Sequence, residues 1–167
     1  TLAHELAFRL SGQYSFNQRL IPNAEAVIGG LFTVRGYPES LAAGDSAFSG
    51  SVEYRFHVPR AFAIDPDPPS VFGRPFRVAP EQVYGSPDWD LVLKAFFDFG
   101  RTYISQPLGF EQEETLASAG VGVELQVSRN LSFRTDWGFV LNKVGSASSG
   151  VVERGDERVH LLFTLAF

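Results

Sequence analysis

The sequence predicts an all-β fold in which antiparallel strands form a transmembrane β-barrel. Seven stretches alternate apolar and polar residues with a period of two, the pattern of a strand with one apolar and one polar face. The apolar faces are almost free of charge from end to end. Tryptophan and tyrosine recur along the stretches, as the aromatic girdles of a membrane barrel require. The residues concerned are Tyr14, Tyr54, Trp89, Tyr103 and Trp137.

The first three predicted strands lie at 2–16, 24–30 and 48–58. The second is the weakest, because its alternation is short. The other two have apolar residues at alternate positions, which are Leu6, Phe8, Leu10 and Tyr14 in the first and Phe48, Val52, Tyr54, Phe56 and Val58 in the third. We therefore expect both strands to present one face to an apolar medium.

Four more strands are predicted at 89–104, 116–128, 131–141 and 158–167. Their apolar faces include Leu93, Phe97 and Phe99, then Val121, Val123 and Leu125, then Phe133, Trp137 and Phe139, then Val159, Leu161 and Phe163. Most of the seven strands are about ten residues long, enough for a tilted strand to cross a bilayer. Because bacterial single-chain barrels have even strand numbers, seven strands indicate a portion of a larger barrel.

Four connections separate these strands. Residues 31–47 form the Arg loop, which has few polar residues for a loop that faces solvent. Residues 59–88 contain seven of the ten prolines, so we expect an irregular connection without a stable strand. Residues 107–114 are acidic, and residues 142–157 are rich in glycine and serine.

Composition excludes several classes of function. The 167 residues include no cysteine, which excludes disulfides, cysteine nucleophiles and thiolate metal sites. The formal net charge is -5 without a basic cluster, which argues against nucleic acid as a partner. His4, His57 and His160 lack the spacing of metal ligands, so we expect neither a metal nor another cofactor.

Two alternatives remain from the residues alone. A soluble β-sandwich that acts as a binding module gives the same alternation, because it buries one face and wets the other. A lipolytic hydrolase would use the block Gly44-Asp45-Ser46 with Asp156 and His160. The spacing from Asp156 to His160 is one residue too long for that class, and the chain has no Gly-x-Ser-x-Gly motif. We therefore expect no enzymatic activity.

The Arg loop and one strand supply a candidate ion pair. In the loop motif Val34-Arg35-Gly36-Tyr37, the glycine permits a tight turn that aims the arginine in one direction. A sheltered arginine stays charged and needs a carboxylate partner. Asp98 supplies an acid in the middle of an apolar strand, in the motif Phe96-Phe97-Asp98-Phe99-Gly100. We expect Arg35 and Asp98 to pair.

Further charged side chains lie in mid-strand on the predicted polar faces. In a barrel these faces surround the lumen, and we expect their charges to form a solvated wall. The lumen-lining residues are Arg9, Glu53, Arg55, Lys94, Glu124, Arg134 and Asp136.

The two motifs together resemble the outer-membrane transporters of two-partner secretion, the haemolysin activation/secretion family within the BamA superfamily. The matching residues are Val34-Arg35-Gly36-Tyr37 after Gly29-Gly30, then Gly44-Asp45, then Val52-Glu53-Tyr54-Arg55, then Phe96 to Gly100 with Asp98, and a terminal Phe167. The resemblance covers nearly the whole chain. It implies the C-terminal part of a barrel of about sixteen strands that follows periplasmic POTRA domains.

The resemblance also implies a function and a location. The protein is expected in the bacterial outer membrane, where it contacts lipid and exports an unfolded polypeptide passenger without a cofactor. In that family the Arg loop folds into the lumen, and its arginine pairs with an aspartate of a following strand. The resemblance implies that Arg35 and Asp98 form this pair here. Phe167, with Phe163 and Leu165 in the same outward row, matches the signal that the outer-membrane assembly machinery recognises. A BamA-like insertase of other barrels is the alternative within this fold. The long 59–88 connection departs from the family pattern, in which periplasmic turns are short.

Overall fold

The computed structural model describes residues 2–71, 73–109, 111–146 and 150–167. Its main element is one antiparallel sheet of six strands, each hydrogen-bonded to the next of the six along the chain. The strands are β1 (His4–Gln13), β2 (Ser46–His57), β3 (Trp89–Tyr103), β4 (Thr115–Val127), β5 (Leu131–Val140) and β6 (Glu157–Leu165). The protein is therefore all-β, as the alternation predicts. The sheet is open, with β1 and β6 at its edges.

The weakest of the seven predicted strands does not belong to this sheet. Within 24–30 only Ala26–Ile28 is extended, and it pairs with Ala42–Gly44 inside the connection between β1 and β2. Gly29 and Gly30 have φ angles of 116° and 97°, which end the extended segment. The prediction of a seventh wall strand at 24–30 is therefore wrong.

The connections divide between the two ends of the sheet. Residues 14–45, 104–114 and 141–156 connect strands at one end, the loop end. Residues 58–88 and the turn 128–130 connect strands at the other end, the turn end. The predicted Arg loop of 31–47 ends two residues early, because β2 already begins at Ser46.

Short elements lie within the connections. The 58–88 connection is largely irregular, but it contains a 3₁₀ turn at Pro59–Ala61 and a small hairpin of Ser70–Val71 with Arg74–Pro75. The expectation that this connection has no strand is wrong for those four residues. A second 3₁₀ turn spans Pro22–Ala24, and a second hairpin pairs Val144–Ser146 with Gly150–Val152. In the described residues, no helix is both long and apolar enough to cross a membrane.

The two faces of the sheet have opposite characters. The loop face carries the charged strand residues and is covered at the loop end by residues from the Arg loop. The apolar face is open, and its exposed side chains include Leu6, Phe8, Val52, Tyr54, Leu93, Phe97, Val121, Trp137, Phe139, Val159, Leu161 and Phe163. The buried apolar core is small and lies between the loop and the sheet, where it contains Ile28, Val34, Tyr37, Ala42, Ala47, Leu116, Val140 and Val144. In a soluble protein, charged residues are mostly exposed and large apolar residues are mostly buried, so this sheet shows the opposite distribution.

The five aromatic residues that predict membrane girdles fall into two groups. Trp89 and Tyr103 are the first and last residues of β3, and Tyr14 follows β1. These three therefore lie at strand ends, where girdles belong. Tyr54 and Trp137 lie within strands instead. Their polar atoms contact other side chains, because the Tyr54 hydroxyl lies 2.7 Å from the His4 ring and the Trp137 indole donates to Glu157.

Candidate functional site: the Arg loop cluster

The shape of the Arg loop is set by its own polar side chains. The Gly29 amide donates to the Thr33 hydroxyl over 2.8 Å, and the Leu31 amide donates to the Glu39 carboxylate over 2.8 Å. Gly36 has a φ of 90°, a conformation that a residue with a side chain rarely adopts. The loop therefore presents its apex, residues 34–37, in one conformation.

Each apex residue contacts a different part of the sheet. A Cβ atom at Gly100 of β3 would lie 2.9 Å from the Val34 side chain, and one at Gly138 of β5 would lie 2.6 Å from the Gly36 amide. Both strand positions consequently exclude a side chain. A glycine inside a strand marks such a close approach. This signal is present in the sequence, although the alternation assigned no role to Gly138.

Tyr37 closes the apex from the loop end. Its side chain is fully buried, and its hydroxyl lies 2.7 Å from the Asn142 carbonyl and 3.0 Å from the Ala117 carbonyl. The hydroxyl also accepts a hydrogen bond from the Ala117 amide. Burial raises the pKa of Tyr37, against the effect of these backbone contacts. The phenol therefore acts as a neutral bridge between β4 and the connection that follows β5.

Arg35 enters a cluster of acids on the loop face. Its Nε and Nη2 atoms donate to the two oxygens of Asp98 over 2.7 and 2.8 Å, which makes a bidentate pair. Its Nη1 atom lies 2.6 Å from Glu53 and 3.4 Å from Asp136. The guanidinium carbon lies 3.4 Å from the centre of the Phe96 ring. The structure thus joins the two residues that the motifs pair, and it adds two further carboxylates.

The cluster is buried and still holds Arg35 in its charged form. Arg35 is 3% exposed and Asp98 is fully buried. Burial acts to lower the pKa of Arg35, but the hydrogen bonds and charge of Asp98 outweigh it, with help from Glu53 and Asp136. The net result is a pKa above the ordinary value for arginine.

Strand register brings the cluster together. Glu53, Phe96, Gly120 and Gly138 stand directly opposite one another in one row across β2 to β5. The adjacent row contains Arg55, Lys94, Gly122, Asp136 and His160. Ser51 and Asp98 stand in the row on the other side. Alternation predicts which face each residue occupies, whereas the rows decide which residues meet.

Three more cations balance the acids. Lys94 is buried, and its ammonium lies 2.8 Å from Asp136 and 3.6 Å from Glu124. Arg134 lies 2.6 Å from Asp136. Arg55 contacts Glu53 at 2.8 Å and Glu124 at 3.2 Å. With Arg35, these cations pair with Glu53, Asp98, Glu124 and Asp136, and Arg55 also lies 3.7 Å from Glu5 at the edge of the cluster.

The lumen-lining residues of the sequence prediction therefore differ in their exposure. Glu53, Lys94 and Asp136 are buried within the ion-pair cluster, and they do not form a solvated wall. Arg55, Glu124 and Arg134 are half-buried in ion pairs. Arg9 is exposed on the edge strand β1. For Arg55, Glu124 and Arg134, which lie nearer the turn end, the solvated wall stays a prediction.

The terminal residues lie apart from this cluster. The side chains of Phe163 and Leu165 are exposed on the apolar face of β6, and Phe167 follows the strand. The Ala166 amide donates to the Asn130 carbonyl over 2.7 Å, and the Asn130 side chain donates back to the Ala166 carbonyl. This contact fixes the end of the chain against the β4–β5 turn.

The residues of the hydrolase alternative have other partners. Both Asp45 oxygens accept backbone hydrogen bonds, from the Leu20 and Ser105 amides, over 2.6 Å each. The Ser46 hydroxyl contacts the Ser15 hydroxyl at 3.0 Å. His160 contacts the Arg loop at Gly36. These contacts tie connections together at the loop end and give the serine no histidine partner among the described residues.

Comparison with known proteins adds no relative. A scan against protein-family models and searches of curated proteins and of solved structures returned no match.

Proposed function

We propose that the protein is an outer-membrane pore of the two-partner secretion type, which exports an unfolded polypeptide to the cell surface. The six strands are then part of the barrel wall. The loop end faces the cell exterior and the turn end faces the periplasm, because outer-membrane barrels have long external loops and short periplasmic turns. The long 58–88 connection is an additional periplasmic element in this orientation.

The membrane part of this proposal rests on the exposed apolar face of the sheet. Phe8 is 73% exposed, Leu161 is 66% exposed and Phe163 is 60% exposed, all on one face. A continuous apolar face of this size marks a surface that meets lipid or another apolar partner. The opposite face holds buried charge, which suits the inside of a barrel.

The Arg loop cluster supports the assignment to export. The apex motif and Asp98 are the residues by which the chain resembles the secretion transporters, and here they meet in a bidentate contact. Nearer the turn end, Arg55, Glu124 and Arg134 remain partly open to solvent on the loop face. We infer that a passenger enters along this polar surface and that the anchored Arg loop narrows its path. Transport of this kind calls for no cofactor.

Deletion of the gene separates the candidate functions. The proteins on the cell surface and in the medium are compared by quantitative proteomics with those of the parent strain, and a plasmid copy serves as the control. We expect one secreted protein to disappear from the surface while other outer-membrane barrels keep their levels. A general fall of outer-membrane barrels would overturn export in favour of an insertase. Recovery of the protein in the soluble fraction would overturn the membrane assignment.

A further inference from the structure

A histidine on the edge strand holds the apex of the Arg loop. The Gly36 amide donates to the Nε2 atom of His160 over 3.2 Å in a buried contact. His160 lies on β6 and stands directly opposite Asp136 of β5. The contact therefore links the loop to the last strand of the sheet, in addition to the carboxylates that bind Arg35 from β2, β3 and β5.

The chemistry of the contact requires one protonation state. An imidazole nitrogen accepts a hydrogen bond only when it carries no proton, so His160 must be neutral with its proton on Nδ1. The Nδ1 atom that carries this proton lies 3.8 Å from the Oε1 atom of the Glu39 carboxylate. A second proton on Nε2 would face the Gly36 N–H group and abolish the hydrogen bond.

Charged groups from three elements surround His160. Glu39 and Arg35 face it from the Arg loop, Asp136 from β5, and Arg158 from its own strand. The two acids favour a charged imidazole, whereas the two arginines oppose it. Among the described side chains, His160 alone accepts a hydrogen bond from the buried Gly36 amide, and this contact requires a bare Nε2 atom.

We propose that His160 is a pH-sensitive positioning residue that holds the loop apex when neutral and releases the Gly36 side of the apex when protonated. The anchored state contains the neutral ring, so the anchor is complete at high pH and is lost as the ring takes up its second proton on acidification. Arg35 stays bound to its carboxylates through this change. This pH dependence goes beyond the proposed function, because it concerns how the Arg loop is held and does not depend on what the pore transports.

Hydrogen exchange at the Gly36 amide tests the proposal. The protein in detergent micelles is followed by NMR between pH 8 and pH 5, and each rate is corrected for the intrinsic pH dependence of exchange. We expect the protection factor of Gly36 to fall at least tenfold on acidification. His160→Gln offers a side-chain carbonyl as acceptor and does not titrate, so its protection should not depend on pH. His57→Gln, which alters the other buried histidine, should behave like the parent protein.

Two results of the exchange experiment would overturn the proposal. One is a Gly36 protection factor in the parent protein that does not change with pH. The other is an equal loss of protection on acidification in His160→Gln. If that variant fails to fold, the ¹⁵N chemical shifts of the His160 ring in the parent protein give an independent answer. A bare Nε2 at pH 8 that gains its proton together with the loss of Gly36 protection supports the anchor, and a protonated Nε2 at pH 8 refutes it.

Discussion

Removal of Arg35 should destabilise the protein more than removal of any one of its acidic partners. Arg35→Ala leaves Glu53, Asp98 and Asp136 buried around the vacated site. The remaining cations that offset them are Arg55, Lys94 and Arg134. Breaking a buried ion pair from one side costs about 3–5 kcal/mol of unfolding free energy. Asp98→Ala leaves Arg35 with two carboxylates, so we expect a smaller cost, about 1.5–3 kcal/mol for the lost charged hydrogen bonds.

A double-mutant cycle measures the coupling between the two residues. The two single variants and the double variant are unfolded by denaturant from micelles, and we expect the double variant to lose less than the sum, by about 0.5–3 kcal/mol. The matched control is the ion pair of Arg101 and Glu113. Arg101 also lies on β3, but its side chain is 43% exposed and that of Glu113 is 42% exposed. Its cycle should give less than about 1 kcal/mol. Additive losses for Arg35 and Asp98, or an equal coupling in the control, would refute the buried cluster.

Three further predictions test other parts of the fold, by unfolding or by proteolysis. Tyr37→Phe removes the hydroxyl that bridges buried backbone groups and should cost about 1–3 kcal/mol; a loss within error would mean that water replaces it. Gly138→Val places atoms against the Gly36 amide and should expose the Arg loop to protease, and an unchanged cleavage rate would contradict the close packing. In lipid, Phe139→Arg on the apolar face should cost about 2–4 kcal/mol, whereas Gln126→Arg on the loop face should be mild; equal losses would refute the assignment of faces.

Alternation is sufficient to predict the six strands of the main sheet and their faces. The predicted strand at 89–104 corresponds to β3 at Trp89–Tyr103, with Phe97 on the apolar face and Lys94 and Asp98 on the loop face. Successive side chains in a strand point to opposite faces. Once one face is apolar, the face that every other residue occupies is therefore determined. The contact between Arg35 and Asp98 was also accessible from sequence, since a sheltered arginine in a loop needs an acid and one strand offers it in an apolar context.

The remainder of the site depends on register, which alternation does not specify. Glu53 and Asp136 were assigned to the correct face but were interpreted as solvated, because their rows relative to Arg35 follow from hairpins with long loops. The contact of His160 with Gly36 spans 124 positions in sequence and carries no local signal. At 24–30, a short alternation predicts a wall strand, but the positive φ angles of Gly29 and Gly30 end the extended segment.

Contact of the apolar face with lipid is the central claim, and spin labels at two matched valines test it most directly. Val121 lies on the apolar face of β4 and is 52% exposed, and Val83 lies in the 58–88 connection and is 51% exposed. Because the chain contains no cysteine, Val121→Cys and Val83→Cys each accept a single nitroxide label. In liposomes we expect the label at 121 to collide mainly with oxygen and the label at 83 mainly with a water-soluble nickel complex. Equal access of the nickel complex to both labels would contradict the account.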